Sequence, residues 1–226
     1  MIAILCMLLT LGIYAMAKKM YRTLPKVYLS PLLITPVAII IILLLAGVSY
    51  QSYNQGGKWL SLLLQPATVA FAVPLYKYFH VLKKHALEII VSVLSGSLIA
   101  VLSSLMMAQW MHLDASLLHS IIPRSITTPI AMSVSQTLGG NPTITAVFVI
   151  LTGLSGLLIG PMTVRLLHID NEVARGVLLG TGAHGTGTSK AFEWSMLTGT
   201  ISSISMVLAA MFTLAGAPLL MSLLQP

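Results

Sequence analysis

From Leu29 to Val48 the chain runs without a single charged side chain, and from Ile89 to Met111 and again from Ser125 to Val164 it does the same. Uncharged apolar runs of about 20 residues are what a membrane-spanning helix needs. Segments such as Ala38 to Val48, AIIIILLLAGV, do not alternate polar with apolar, so they fit spanning helices and not the strands of a membrane barrel. The rest of the composition agrees: 57% of residues are hydrophobic, 8% are charged, and mean hydropathy is +0.95. A soluble domain is about one quarter charged. The expectation is therefore an all-α integral membrane protein of seven or eight hydrophobic segments, multi-pass in a cytoplasmic membrane.

The net charge of +7 does not point to nucleic acid, because the basic residues fall between apolar runs. Lys18, Lys19, Arg22 and Lys26 form one group, and Lys77, Lys83 and Lys84 another. Short basic loops of this kind stay on the cytoplasmic side, which puts the N-terminus outside. The charges beyond Met111 are too balanced to orient the remainder. Cys6 is alone, so no disulfide framework exists within the chain. The first apolar run has neither a basic leader nor a small-residue cleavage site, so a cleaved signal peptide is not expected.

Two segments break the helical pattern. One, about Trp59 to His80, carries Pro66 and Pro74 inside an apolar run, where each removes a helix hydrogen bond. The other is Gly180 to Lys190, with Gly180, Gly182, Gly185 and Gly187 interleaved with hydroxyls, His184 and Lys190. Backbone freed at such breaks cannot face lipid, so both are expected inside, meeting each other. The segment Ser116–Leu138 also holds two prolines, Pro123 and Pro129. A shift of 116 residues superposes the two interrupted segments, so the chain reads as one domain, 1–226, with either an internal repeat of halves 1–113 and 114–226 or a chance match of two hydropathy patterns.

The glycine-rich stretch supplies the elements of a small-carboxylate cradle. Lys190 brings charge, Thr186, Thr188 and Ser189 bring hydroxyls, and the backbone at Gly185 and Gly187 brings N–H groups. Arg124, Thr127 and Thr128, within PRSITTPIA, complete the site. A charge within a membrane is retained when it is paired, snorkelled or functional. The competing reading is a helix-packing seam with Lys190 snorkelling to the interface and Arg124 as an interfacial anchor. His184 titrates near neutral pH when unperturbed and so is either a proton-coupling group or a neutral histidine satisfied by hydroxyls. Glu193 is placed to pair with Lys190 at i,i+3. No paired carboxylates, metal cluster, cofactor fingerprint or nucleophile motif is present, so an enzyme is not expected.

Four separated motifs carry a resemblance: PATVAFAVPLYK, PRSITTPIAMSVSQTLGG, LTGLSGLLIGP and RGVLLGTGAHGTGTSKAFE. In these the chain resembles the LrgB/CidB family of bacterial inner-membrane proteins, which is similar to the C-terminal half of the plastid glycolate/glycerate translocator. The resemblance implies transport of a small monocarboxylate of the pyruvate, glycolate or glycerate class. It implies as a partner a smaller LrgA/CidA-type membrane protein. The alternative it carries is a holin/antiholin-like regulator of murein hydrolase activity and autolysis. It supplies no agreed site residues, and self-association into a homo-oligomer stays open.

Overall fold

A computed structural model of the chain describes residues 2–24, 27–63, 66, 69–70 and 72–224. The described residues are helical throughout with no strand, and four helices are long and apolar enough to cross a membrane. The chain is an all-α, multi-pass membrane protein. It divides into two compact units, 1–70 and 71–226.

The smaller unit holds α1 (Ile2–Thr23), α2 (Pro31–Leu45) and α3 (Tyr50–Leu62). Pro31 opens α2 at a position where its missing N–H costs nothing. The polar stretch YQSYNQGGK forms the body of α3. The Ser49 side chain caps it by accepting from Ser52 N at 3.3 Å. Gly56 lets α3 meet the Ala3 carbonyl of α1, and the Thr10 and Tyr53 hydroxyls share a hydrogen bond of 2.9 Å. Lys26 lies outside the described residues. So do residues 64, 65, 67, 68 and 71, and with them most of the interruption expected between Pro66 and Pro74 and its meeting with Gly180–Lys190.

The larger unit begins with two short helices, α4 (Ala72–Lys77) and α5 (Phe79–Lys84). Three long helices follow: α6 (Ala86–Trp110), α9 (Pro142–Leu166) and α11 (Met196–Leu224). Between them lie two re-entrant hairpins. The second is α10 (Glu172–Trp194), which breaks at His184, where φ is 40° and ψ is −127°. Its two arms fold back on each other. Arg175, near one end, stacks 5.9 Å from the ring of Trp194 at the other, whereas a continuous helix would hold them about 28 Å apart. Gly187 of the returning arm sits against the Leu179 carbonyl and Ala183 of the first, where any Cβ would collide. At about 18 Å, the first arm cannot cross a hydrocarbon core of about 30 Å.

The first hairpin spans α7 (Ala115–Ile121), a 3₁₀ turn (Ile122–Ser125) and α8 (Thr128–Thr137). Here too the chain folds back, bringing the start of α9 against the last turn of α7. Asn141 N donates to Ser120 Oγ at 2.7 Å, and a Cβ at Gly140 would lie 2.8 Å from Ser120 N. The interruption that accompanies the Gly180–Lys190 break within this unit is thus the Pro123–Pro129 segment.

Small residues let these pieces approach. Gly153, Gly156 and Gly160 of α9 face Thr186, Ala183 and Leu179 of the second hairpin. Gly176 and Gly180 face Ile201 and Ser202 of α11. The helix α11 is the inner helix of the unit, with Thr198, Thr200, Ser202, Ser203 and Ser205 buried. Several of its hydroxyls turn onto their own backbone, as Ser203 Oγ does onto the Gly199 carbonyl at 2.9 Å.

Candidate functional site

The two hairpin tips meet. Ser125 Oγ, at the first tip, donates to the Thr181 carbonyl near the second at 2.9 Å. The second tip is pinned on its other flank, where His184 Nε2 donates to the Val149 carbonyl of α9 at 3.1 Å. Thr186 Oγ1 donates to the Ala183 carbonyl at 3.0 Å. These bonds satisfy or share the carbonyls exposed where α10 unwinds, as an apolar surrounding requires. A buried histidine at positive φ is strained backbone. Its imidazole bond to α9 compensates, and Gly153 makes room for it, since a Cβ there would lie 3.0 Å from His184 Cε1.

Beside the tips is a cavity of about 400 Å³. Arg124 stands at one end of it, Phe148, Thr152 and Ser155 of α9 line one wall, and Leu178 and Gly182 of the first α10 arm line the other. The guanidinium is aimed by one bond, from Arg124 Nε to Ser104 Oγ of α6 at 3.0 Å. Ser104 in turn donates to the Ala100 carbonyl at 2.6 Å. The ion pairs among the described residues are His85–Glu88, Asp170–Arg175 and Lys190–Glu193, so no carboxylate neutralises Arg124. Ser104 lies in the last third of α6, so the cation sits inside the bundle but nearer that end of α6 than its middle. An unpaired cation costs about 2.5–3.5 kcal/mol at the membrane centre even on the lenient insertion scale, and less towards an interface. With apolar walls and free N–H groups, it is suited to holding a small anion.

The residues expected from the sequence distribute around this point. Arg124 lines the cavity. Thr127 occupies the N-cap position of α8 without capping it, its hydroxyl buried with no hydrogen-bond partner among the described residues, while Thr128 opens that helix half-buried. His184 and Thr186 make the tip bonds given above. Gly185 lies 4.0 Å from Met206 Sδ by its Cβ position, and Gly187 faces the first arm. The Thr188 hydroxyl is buried against Ser202 Oγ at 3.0 Å. Ser189 is exposed and bonds back to the Gly185 carbonyl at 3.1 Å. Lys190 pairs with Glu193 at 2.6 Å, towards the hairpin base. The structure thus gathers Arg124 and the tip residues, and turns Thr188, Ser189 and Lys190 elsewhere. Sequence reading missed Ser104, 20 residues from the arginine it orients; Gly182, one of the glycines of the expected cradle, has an open surface that lets the backbone face the cavity.

Residues 10–223 match the LrgB-like family. The chain is 60% identical to protein YwbG of Bacillus subtilis over 98% of both chains. It is 43% identical to YxaC of the same organism, covering 92% of this chain and 91% of that one. It is 35% identical to the holin-like protein CidB of Staphylococcus aureus, covering 98% and 96%. No solved structure matches.

Proposed function

We propose that this chain, which belongs to the LrgB-like family, is a membrane carrier for a small monocarboxylate of the pyruvate, glycolate or glycerate class. The observation that supports this reading most is Arg124: one unpaired cation, oriented by Ser104, facing a cavity between re-entrant hairpins. Its volume falls within the range of about 300–1,000 Å³ typical of small-molecule sites. A single cation with apolar neighbours such as Phe148 and Leu178 suits one carboxylate on a short carbon chain and leaves a second carboxylate without a counter-ion. Interrupted helices at a midplane site recur in secondary carriers. Arg124 binds the carboxylate, the tip residues Thr127, Thr128, His184, Thr186, Gly185 and Gly187 shape the site, and Thr188, Ser189 and Lys190 act only by holding the returning arm of the hairpin in place.

The test is uptake of labelled monocarboxylates into proteoliposomes, with and without an LrgA/CidA-type partner. Saturable uptake is expected with the pair. Its absence in both preparations would favour the second reading, a holin-like regulator of murein hydrolases, which the name of the CidB relative supports. Lys190 is already paired with Glu193, and partly exposed charges contribute only about 0.2–1 kcal/mol. Lys190→Met should therefore raise KM for uptake by no more than about fivefold and leave membrane insertion unchanged.

A further inference from the structure

We infer that the larger unit is an inverted repeat, and that α6 carries a second, outward-facing half of the substrate path, equivalent to the cavity along α9. The helix α6 and its hairpin recur as α9 and its hairpin. Both helices have 25 residues and start 56 positions apart. Both hairpins run over 23 positions, 115–137 and 172–194, and start 57 apart. The junctions match in detail. His112 and His168 each end their helix at positive φ, 52° and 49°. Leu113 N bonds to the Ala108 carbonyl and Ile169 N to the Val164 carbonyl, each at 3.0 Å. The sequence echoes this in MHLD at 111–114 and LHID at 167–170. The small face of α9, Gly153, Gly156 and Gly160, falls on Ser97, Ala100 and Ser104 of α6, and Ser104 is the residue that holds Arg124.

The two copies are oppositely oriented. The first hairpin opens towards the end of α6 and the start of α9, and the second towards the end of α9 and the start of α11. Re-entrance then places Lys83, Lys84, Arg165, Arg175 and Lys190 all at one end of the unit. The opposite end, at residues 110–115 and 137–142, holds Asp114 and no lysine or arginine. By the positive-inside rule the basic end is cytoplasmic. Had the hairpins crossed the membrane, these cations would fall on both sides. The cavity's lining runs along α9 from Phe148 to Thr163, towards the basic end, which makes it the inward half of the path in this reading.

The α6 side holds hydroxyls that this structure leaves unsatisfied. Ser97, Thr127 and Thr181 are buried with no hydrogen-bond partner among the described residues. By the repeat, Thr127 and Ser97 correspond to His184 and Gly153, which touch. The Thr181 Cγ2 lies 3.1 Å from the Cβ position of Gly96. Buried polar groups without partners call for an explanation. When the repeats exchange conformations, these hydroxyls come to face the substrate path, continued outward by Ser95, Ile99 and Ser103, the counterparts of Leu151, Ser155 and Ile159.

This extends the carrier reading, and its test needs no substrate. In a Cys6→Ala background, Ser103→Cys and Ile159→Cys are labelled with a membrane-impermeant maleimide, each with and without Ser155→Trp to fill the inward cavity. Ile159→Cys should react in inside-out vesicles and Ser103→Cys from outside in intact cells. Ser155→Trp should raise the outside rate several-fold and suppress the inside one. The inference is overturned if Ser103→Cys never reacts from outside while Ile159→Cys reacts from inside, or if both react from the same side. Reciprocal labelling without monocarboxylate uptake would keep the two-sided path and remove only the proposed substrate; uptake with Ser103→Cys silent would remove only the path.

Discussion

Gly180→Val should leave a protein that enters the membrane but cannot assemble its second hairpin. A Cβ at Gly180 meets the carbonyl, carbonyl carbon and Cα of Ser202 on α11, all backbone. A side-chain tip can rotate away, but backbone on the inner helix cannot. Forced overpacking costs about 1–3 kcal/mol when side chains can adjust, and here they cannot, so the loss lies at or beyond the upper end. At about 2–4 °C per kcal/mol for a chain of this size, the melting temperature in detergent should drop by about 10 °C or the protein should aggregate on extraction. Gly12→Ala, where nothing lies within 4 Å of the new Cβ, is the control and should melt as the parent does. Equal behaviour of the two variants would contradict the close α10–α11 packing.

Arg124→Gln should separate transport from stability. Removing an unpaired charge from inside the bundle relieves a cost that reaches about 2.5–3.5 kcal/mol at the membrane centre, so the variant should melt no lower than the parent. Transport should fall about ten- to a hundredfold, since a charge-assisted hydrogen bond contributes about 1.5–3 kcal/mol. Arg124→Lys should recover part of it, because an ammonium keeps the charge and loses the planar fork that grips a carboxylate at two points. A melting temperature that falls together with transport would mean that Arg124 only holds the structure together.

The membrane class, the helix runs and the break at Gly180–Lys190 were legible because they are written locally, in hydropathy and in glycine. The i,i+3 pair of Lys190 with Glu193 was legible for the same reason. Re-entrance was not, since a broken helix that crosses and one that turns back share the same composition. What decides between them is long-range: Gly187 against Leu179, and Arg175 on Trp194. The placing of Lys190 shows a related limit. A lysine, glycines and hydroxyls close in sequence read as one cradle, yet a helix hairpin turns Thr188 to Ser202, Ser189 outward and Lys190 to Glu193. Arg124 gained weight from Ser104, a contact that nothing in the sequence around either residue announces. The 56-residue period lies within the larger unit and is a different correspondence from the 116-residue offset. It is hidden because identity survives mainly at the helix ends, in His112 and His168 with Asp114 and Asp170, while along the helices only residue size is kept.

In the proposed carrier, the cavity beside the hairpin tips selects one carboxylate through Arg124. The most direct measurement is competition against saturable uptake of labelled glycolate into proteoliposomes, using unlabelled glycolate and its neutral amide, glycolamide, which keeps the size and the hydroxyl and loses the charge. Glycolate should compete at its own KM, and glycolamide should need a concentration about ten- to a hundredfold higher. Equal competition by the amide would contradict the claim, because the site would then be reading shape and not charge.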